Sequence, residues 1–275
     1  MDLSVENFNV RLRTIKIREL VIGIIVCMIL TGLIGLIFPP VIENDDLLIL
    51  VLLTIMIILF AILFFNTTGL SEDIRNVFKP KTRKEIIYVV VINILFVLLI
   101  AYLLSSLDYI LQITDPTWIS SVDIDTVEVD STYILYDAVT SIIYAPIIEE
   151  IIFRGILFNR LKIRTGILAA MIISSFIFAI GHEFGGIISA FLFGICMCMI
   201  YLKTDNIIIT ISAHMLNNII ATALNFTAID MFFIQFPYLI PALLICIIAT
   251  VFLIKYILDE YKKIKKQYSW KKELN

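Results

Sequence analysis

Apolar runs of membrane-spanning length recur from one end of this chain to the other and leave room for little else. A hydrocarbon core about 30 Å thick needs about 20 apolar residues per helix. Segments 20–38, 47–65, 86–104, 133–161, 166–180, 187–202, 207–224 and 238–257 meet or approach that length. Inside a bilayer the backbone must satisfy its own hydrogen bonds, so such runs fold as helices. The composition agrees: 60% of the 275 residues are hydrophobic, 16% are charged and the mean hydropathy is +1.01. A soluble domain carries about 25% charged residues and could not bury this much apolar surface. The expected fold class is therefore all-α, a polytopic transmembrane bundle of about eight helices.

The first run follows Arg11, Arg13, Lys16 and Arg18, as the core of a signal peptide would. It is too long for one and ends in Phe38-Pro39-Pro40 rather than at a small-residue cleavage site, so it reads as a retained helix. Lys and Arg gather at the N-terminus, in the loops after the second, fourth and sixth runs with their flanks, and at the C-terminus. The other loops hold Glu43, Asp45, Asp46, Asp108, Asp115, Asp123, Asp125, Glu128, Asp130, Glu183 and Asp230 and no base. The positive-inside rule then places both termini in the cytoplasm and the protein in the cell membrane. The tail Lys262, Lys263, Lys265, Lys266, Lys271, Lys272 reads as an anchor to the lipid bilayer or as a solvated charge run without a partner. Cys27, Cys196, Cys198 and Cys246 lie in apolar runs and read as small buried hydrophobes. No nucleic-acid partner is expected, and oligomeric state is not legible. Three parts are expected: residues 1–131, with three ordinary lipid-facing helices and an acidic external loop over 105–131; a polar core over 132–225; and a last helix with its basic tail over 226–275.

Ionisable groups inside membrane helices cost at least a few kcal/mol each, so they mark function by default. They are concentrated in runs four to seven: Asp137, Glu149, Glu150, Arg154, His182 and His214, with the amides Asn217 and Asn218 beside them. Both histidines of the chain are in this set. Glu150 and Arg154 are four apart on one helical face and can pair, which leaves Glu149, about 100° round the helix, free to face a cavity. His182-Glu183 opens like a zinc-protease HExxH, but Gly186 stands where the second histidine would be. His214 and Asn218 share a face one turn apart. Taken singly, these residues also suit a structural ion pair, an interfacial histidine and a polar contact between helices. Together they offer a base for water and donors, or a metal, for an oxyanion. If the fourth helix stopped near Arg154, Glu149 and His182 would sit at different depths. If it runs on to Leu161, the gap shrinks to about 7 Å. A shared site therefore requires Arg154 inside the membrane.

The segments Glu149-Glu150-Ile151-Ile152-Phe153-Arg154, Phe178-Ala179-Ile180-Gly181-His182 and His214-Met215-Leu216-Asn217-Asn218 resemble, in order and spacing, the EExxxR, FxxxH and HxxxN motifs of the CAAX protease and bacteriocin-processing (CPBP, or ABI) family of intramembrane proteases. The resemblance covers about residues 137–224. It implies that Glu149, with His182, activates water, that His214 and Asn218 hold the oxyanion or complete a metal site, and that Glu150, Arg154 and Phe178 support them. It leaves open whether a divalent metal such as zinc, on Glu149, His182 and His214, takes part. The implied substrate is a membrane-associated peptide or protein, in bacteriocin or signal-peptide processing or in self-immunity. A non-catalytic membrane scaffold or regulator and a small transporter are the alternatives. The scaffold would be expected to lose the motif residues, and the transporter to show inverted repeats.

Overall fold

The computed structural model describes residues 1–115, 131–182, 184–227 and 238–273, without the side chains of 131–134, 184 and 268–273. Asp123, Asp125, Glu128, Asp130, Glu183 and Asp230, and the side chains of Lys271 and Lys272, lie outside the described residues. Every regular element in the described residues is helical.

Local chemistry sets where the helices begin and end. The Asn7 side chain accepts from Val10 N (3.1 Å) and opens α1, Phe8–Thr14. The first membrane run becomes α2, Ile17–Ile37, which stops ahead of Pro39–Pro40; a single turn, α3, Pro40–Glu43, follows. The Asn44 side chain accepts from Leu47 N (2.8 Å) and starts α4, Asp45–Leu63. A short surface helix, α5, Leu70–Val77, precedes α6, Pro80–Thr114. The first ten residues of the expected 105–131 loop, up to 114, are thus helix. The apolar residues Leu107, Tyr109, Ile110 and Ile113 continue the run, and it ends where Asp115 turns extended ahead of Pro116.

The fourth run is helical from Ser131 to Thr165 but not uniformly α: α7, Ser131–Val139, a π segment Thr140–Tyr144, α8, Ala145–Glu150, a second π segment Ile151–Phe158, and α9, Asn159–Thr165. Gly166, at φ +83°, breaks the chain before α10, Ile167–Ala179. Then come α11, Ile187–Thr204, ended by Asp205 in the left-handed region (φ 55°), α12, Ile207–Thr227, and α13, Leu239–Glu273.

Six of these helices, α2, α4, α6, α11, α12 and α13, are long and apolar enough to cross a membrane. Their composition and number mark a multi-pass membrane protein. The other two expected passes differ in form: one is the π-interrupted run, and the other, α10, has only 13 residues. The outward faces of α2 and α13 stay apolar, with Ile22, Ile29, Leu33, Ile240, Val251 and Phe252 all exposed. Leaving such surface in water would cost about 25 cal/mol per Å².

The expectation that the first three membrane helices are ordinary lipid-facing spans fails for the third. In α6, Ile86, Val89, Val90, Ile92, Ile94 and Phe96 are buried with Phe178, Met197 and Leu253 in one core cluster. A second cluster joins α1, α4, α8, α10 and α11 through Leu12, Phe60, Ile148, Met171 and Tyr201. Polar clips tie the ends. Glu85 accepts from Lys203 and from Tyr256 Oη (2.7 Å), and Lys203 pairs with Glu260 (2.7 Å), so α6, α11 and α13 are joined. Arg11, read from sequence as one of a basic flank, is buried and donates to the carbonyls of Leu3, Val5, Leu63 and Phe65. All four cysteines are buried and free.

Candidate active site

The π-interrupted run supplies the carboxylates, and its irregularity has a sequence cause. Ala145 N donates to the Thr140 carbonyl, five residues back. The next donor in that register would serve Ser141, but it belongs to Pro146, which has no N–H. The Ser141 carbonyl accepts instead from Asn218 Nδ2 on α12, at 2.7 Å. A helix defect is thereby converted into a fixed contact between helices, and π segments recur at functional sites for this kind of reason.

Removing that donor should be measurable. Asn218→Ala leaves a carbonyl with no partner, which costs about 1–3 kcal/mol. Pro146→Ala returns an N–H in reach of the same carbonyl. Thermal unfolding in detergent should show Asn218→Ala destabilised and the Asn218→Ala/Pro146→Ala double variant partly restored. A double variant as unstable as the sum of its parts would contradict this account.

One turn on, Glu150 and Arg154 face the protein interior at 0% and 1% side-chain exposure, with Arg154 Nη1 2.9 Å from Glu150 Oε1. The same oxygen lies 3.1 Å from His214 Nδ1. Since a carboxylate can only accept, Nδ1 carries the proton and Nε2 is directed elsewhere. Nε2 lies 3.7 Å from Glu149 Oε2, too far for a direct hydrogen bond, and the Glu149 side chain is 31% exposed. Thus two adjacent glutamates have unlike surroundings: Glu150 is sealed and paired, while Glu149 is partly exposed beside the His214 ring.

Phe178 lies under the cluster. The Arg154 guanidinium sits 4.3 Å above its ring centroid, and the rings of His182 and His214 contact it at 4.7 and 5.8 Å. Phe193 meets His214 from α11 at 5.3 Å. Gly194, on the same helix, lets α11 approach Ser175 and Arg154: a Cβ there would meet Ser175 at 2.9 Å and Arg154 Nη2 at 3.2 Å. His182 follows the end of α10, and its Nδ1 is 3.0 Å from the Phe178 carbonyl. That carbonyl requires a proton on Nδ1, so in the neutral ring Nε2 is the acceptor.

A cavity of about 150 Å³ opens here, walled by Phe178, His182, Phe193, His214, Asn217 and Asn218 among others. The sequence reading missed one of its walls. Asn93, from α6, is buried and donates through Nδ2 to Asn217 Oδ1 (3.0 Å), and Asn217 Nδ2 donates to Asn218 Oδ1 (3.3 Å). The signal was available, since Asn93 is a lone amide in the middle of run 86–104. Asp137, in contrast, is exposed on α7 and takes no part in the cluster's contacts.

Glu149, Glu150, Arg154, Phe178, His182 and His214 thus lie in one network of contacts, and Asn218 borders the same cavity with its amide committed to Ser141. Among the described residues, no three His, Cys, Asp or Glu side chains are arranged to hold a metal ion. As placed, Glu149, His182 and His214 do not fit the tetrahedral shell that zinc takes.

Residues 131–220, about a third of the chain, match the family model described as type II CAAX prenyl endopeptidase Rce1-like. The segment contains all seven residues to which the resemblance gives a role and excludes Asn93. No curated protein and no solved structure matches the chain.

Proposed function

We propose, from the match of residues 131–220 to the Rce1-like CAAX endopeptidase family of proteases, that this protein is an intramembrane endopeptidase that hydrolyses a peptide bond of a membrane-associated peptide or protein with water activated by Glu149 and His182. The observation that carries the reading is the unequal treatment of the two glutamates. Glu150 is spent on Arg154 and His214, and Glu149 has no hydrogen-bond partner among the described residues and faces the imidazoles.

In this mechanism Glu149 takes one proton from a water molecule, and the lone pair on His182 Nε2 accepts a hydrogen bond from its other O–H. The water oxygen adds to the scissile carbonyl carbon, and the carbonyl π electrons move to oxygen. His214, held by Glu150 through Nδ1, directs Nε2 at that oxyanion and stabilises it when that nitrogen carries a proton. Asn218 has a second amide hydrogen beyond the one given to Ser141 and lies on the same cavity wall. Collapse of the intermediate breaks the C–N bond, and the proton on Glu149 goes to the leaving amine. The atoms balance as peptide plus water to acid plus amine.

This reading takes the π-interrupted run and α10 as two further passes, which makes eight, with both termini cytoplasmic in the cell membrane. The charge alternation of the loops supports it. The substrates it favours are signal or bacteriocin peptides held at the bilayer, for processing or self-immunity. The test is incubation of the purified protein, in detergent, with a panel of membrane-anchored peptides read by mass spectrometry, with and without chelator. Cleavage lost in Glu149→Gln and indifferent to chelator is expected. Absence of cleavage across the panel, with a cellular phenotype that survives Glu149→Gln, would leave the scaffold standing instead.

A further inference from the structure

We propose that the cleft between the α1–α2 junction and α9 binds the phosphate headgroup of an anionic phospholipid, with an acyl chain lying in the neighbouring crevice between α2 and α4. The cleft, of about 680 Å³, is lined by Lys16, Arg18, Arg160 and Arg164, with Ile17 and Ile163 between them. Four cations therefore face one space that no carboxylate lines. Among the described residues, none of the four forms an ion pair. Several other cations of the fold are engaged: Arg11 on carbonyls, Arg13 with Asp205, Arg154 with Glu150, and Lys203 with Glu85 and Glu260. Arg160 is also held in place, because its Nε donates to the Ile15 carbonyl at 2.8 Å and its terminal nitrogens keep their donors. Arg164 is one turn further along the same face of α9. Like charges gathered on two rigid elements repel unless an anion sits between them, and a guanidinium pair suits the oxygens of a phosphodiester.

A second observation separates a lipid from a free anion. The segment that carries Lys16 and Arg18 also lines a crevice of about 400 Å³, through Ile15 and Glu19. The walls of that crevice are apolar, with Gly23 and Cys27 on α2 and Met56 and Phe60 on α4. Its one carboxylate, Glu19, is occupied: it accepts from Lys16 N (2.8 Å) and lies 2.6 Å from the Met1 amino group. A phosphate site beside an apolar crevice between membrane helices matches a molecule with a charged head and a hydrocarbon tail. Basic pockets between transmembrane helices bind anionic headgroups on this principle.

The test uses the full chain in detergent micelles, titrated with phosphatidylglycerol, with phosphatidylcholine of the same chains, and with inorganic phosphate alone, and read by native mass spectrometry. Phosphatidylglycerol should be retained in preference to phosphatidylcholine. Lys16→Gln/Arg18→Gln, which spares the Arg160 bond, should weaken that retention about 30-fold, since each basic residue near an anionic lipid contributes about fivefold. Lys81→Gln/Lys84→Gln, at two exposed positions on α6, removes the same charge elsewhere and should change nothing. Gly23→Leu fills the apolar crevice without touching a charge and should weaken lipid retention while leaving phosphate alone unaffected. Equal retention of the two lipids, an equal loss in the α6 variant, or full retention in Gly23→Leu would overturn the proposal. Phosphate bound as tightly as the lipid would do so too. None of these readouts depends on proteolysis.

Discussion

The Glu149→Gln protein should hydrolyse its substrate about 10²–10⁴-fold more slowly than the parent, or worse, and melt at the same temperature. The two halves of that expectation have separate origins. Stability is spared because the Glu149 carboxylate is partly exposed and 3.7 Å from its nearest imidazole nitrogen, so the amide gives up no buried hydrogen bond. Activity is lost because an amide cannot take a proton from water. His182→Ala should lower the rate comparably. The Glu149→Gln/His182→Ala double variant should be little worse than either single variant, because residues that act on one water as a unit are not additive. A membrane scaffold would behave otherwise and keep its cellular phenotype in every variant at equal expression. Hydrolysis retained in Glu149→Gln would remove the mechanism.

The same comparison shows what a sequence of this kind exposes and what it hides. Helix positions are legible because each run must be apolar over a length fixed by the bilayer: run 20–38 becomes Ile17–Ile37, and run 207–224 becomes Ile207–Thr227. The spacing of Glu150 and Arg154 is legible for a similar reason, since four residues define one helical face. What hides is whatever depends on a partner from elsewhere in the chain. Pro146 is visible in the sequence, but not that the Ser141 carbonyl it leaves free is taken by an amide 77 residues away. Asn93 stands in an apolar run, and only the packing of α6 against α12 gives it Asn217. Arg11 reads as a surface charge because nothing local shows that the end of α4 will present two carbonyls to it.

Arg154→Met should be among the most destabilising single substitutions in the protein, at about 3–5 kcal/mol. The guanidinium is almost fully buried, between the Glu150 carboxylate at 2.9 Å and the Phe178 ring at 4.3 Å. Removing it leaves a carboxylate at 0% exposure with His214 Nδ1 on one oxygen and no hydrogen-bond partner on the other, Oε2. Most of the cost is therefore the penalty for a buried charge deprived of its counter-ion rather than the worth of the pair. That difference can be measured, because replacing both members of a buried pair by apolar groups of similar size is often nearly neutral. Arg154→Met/Glu150→Leu should regain much of the lost stability in thermal unfolding. It should regain no hydrolysis, because Glu150 is also the group that holds His214 Nδ1. A double variant that stays as unstable as Arg154→Met would mean that the guanidinium acts mainly through Phe178. An Arg154→Met protein as stable as the parent would show that the pair does not hold the core at all.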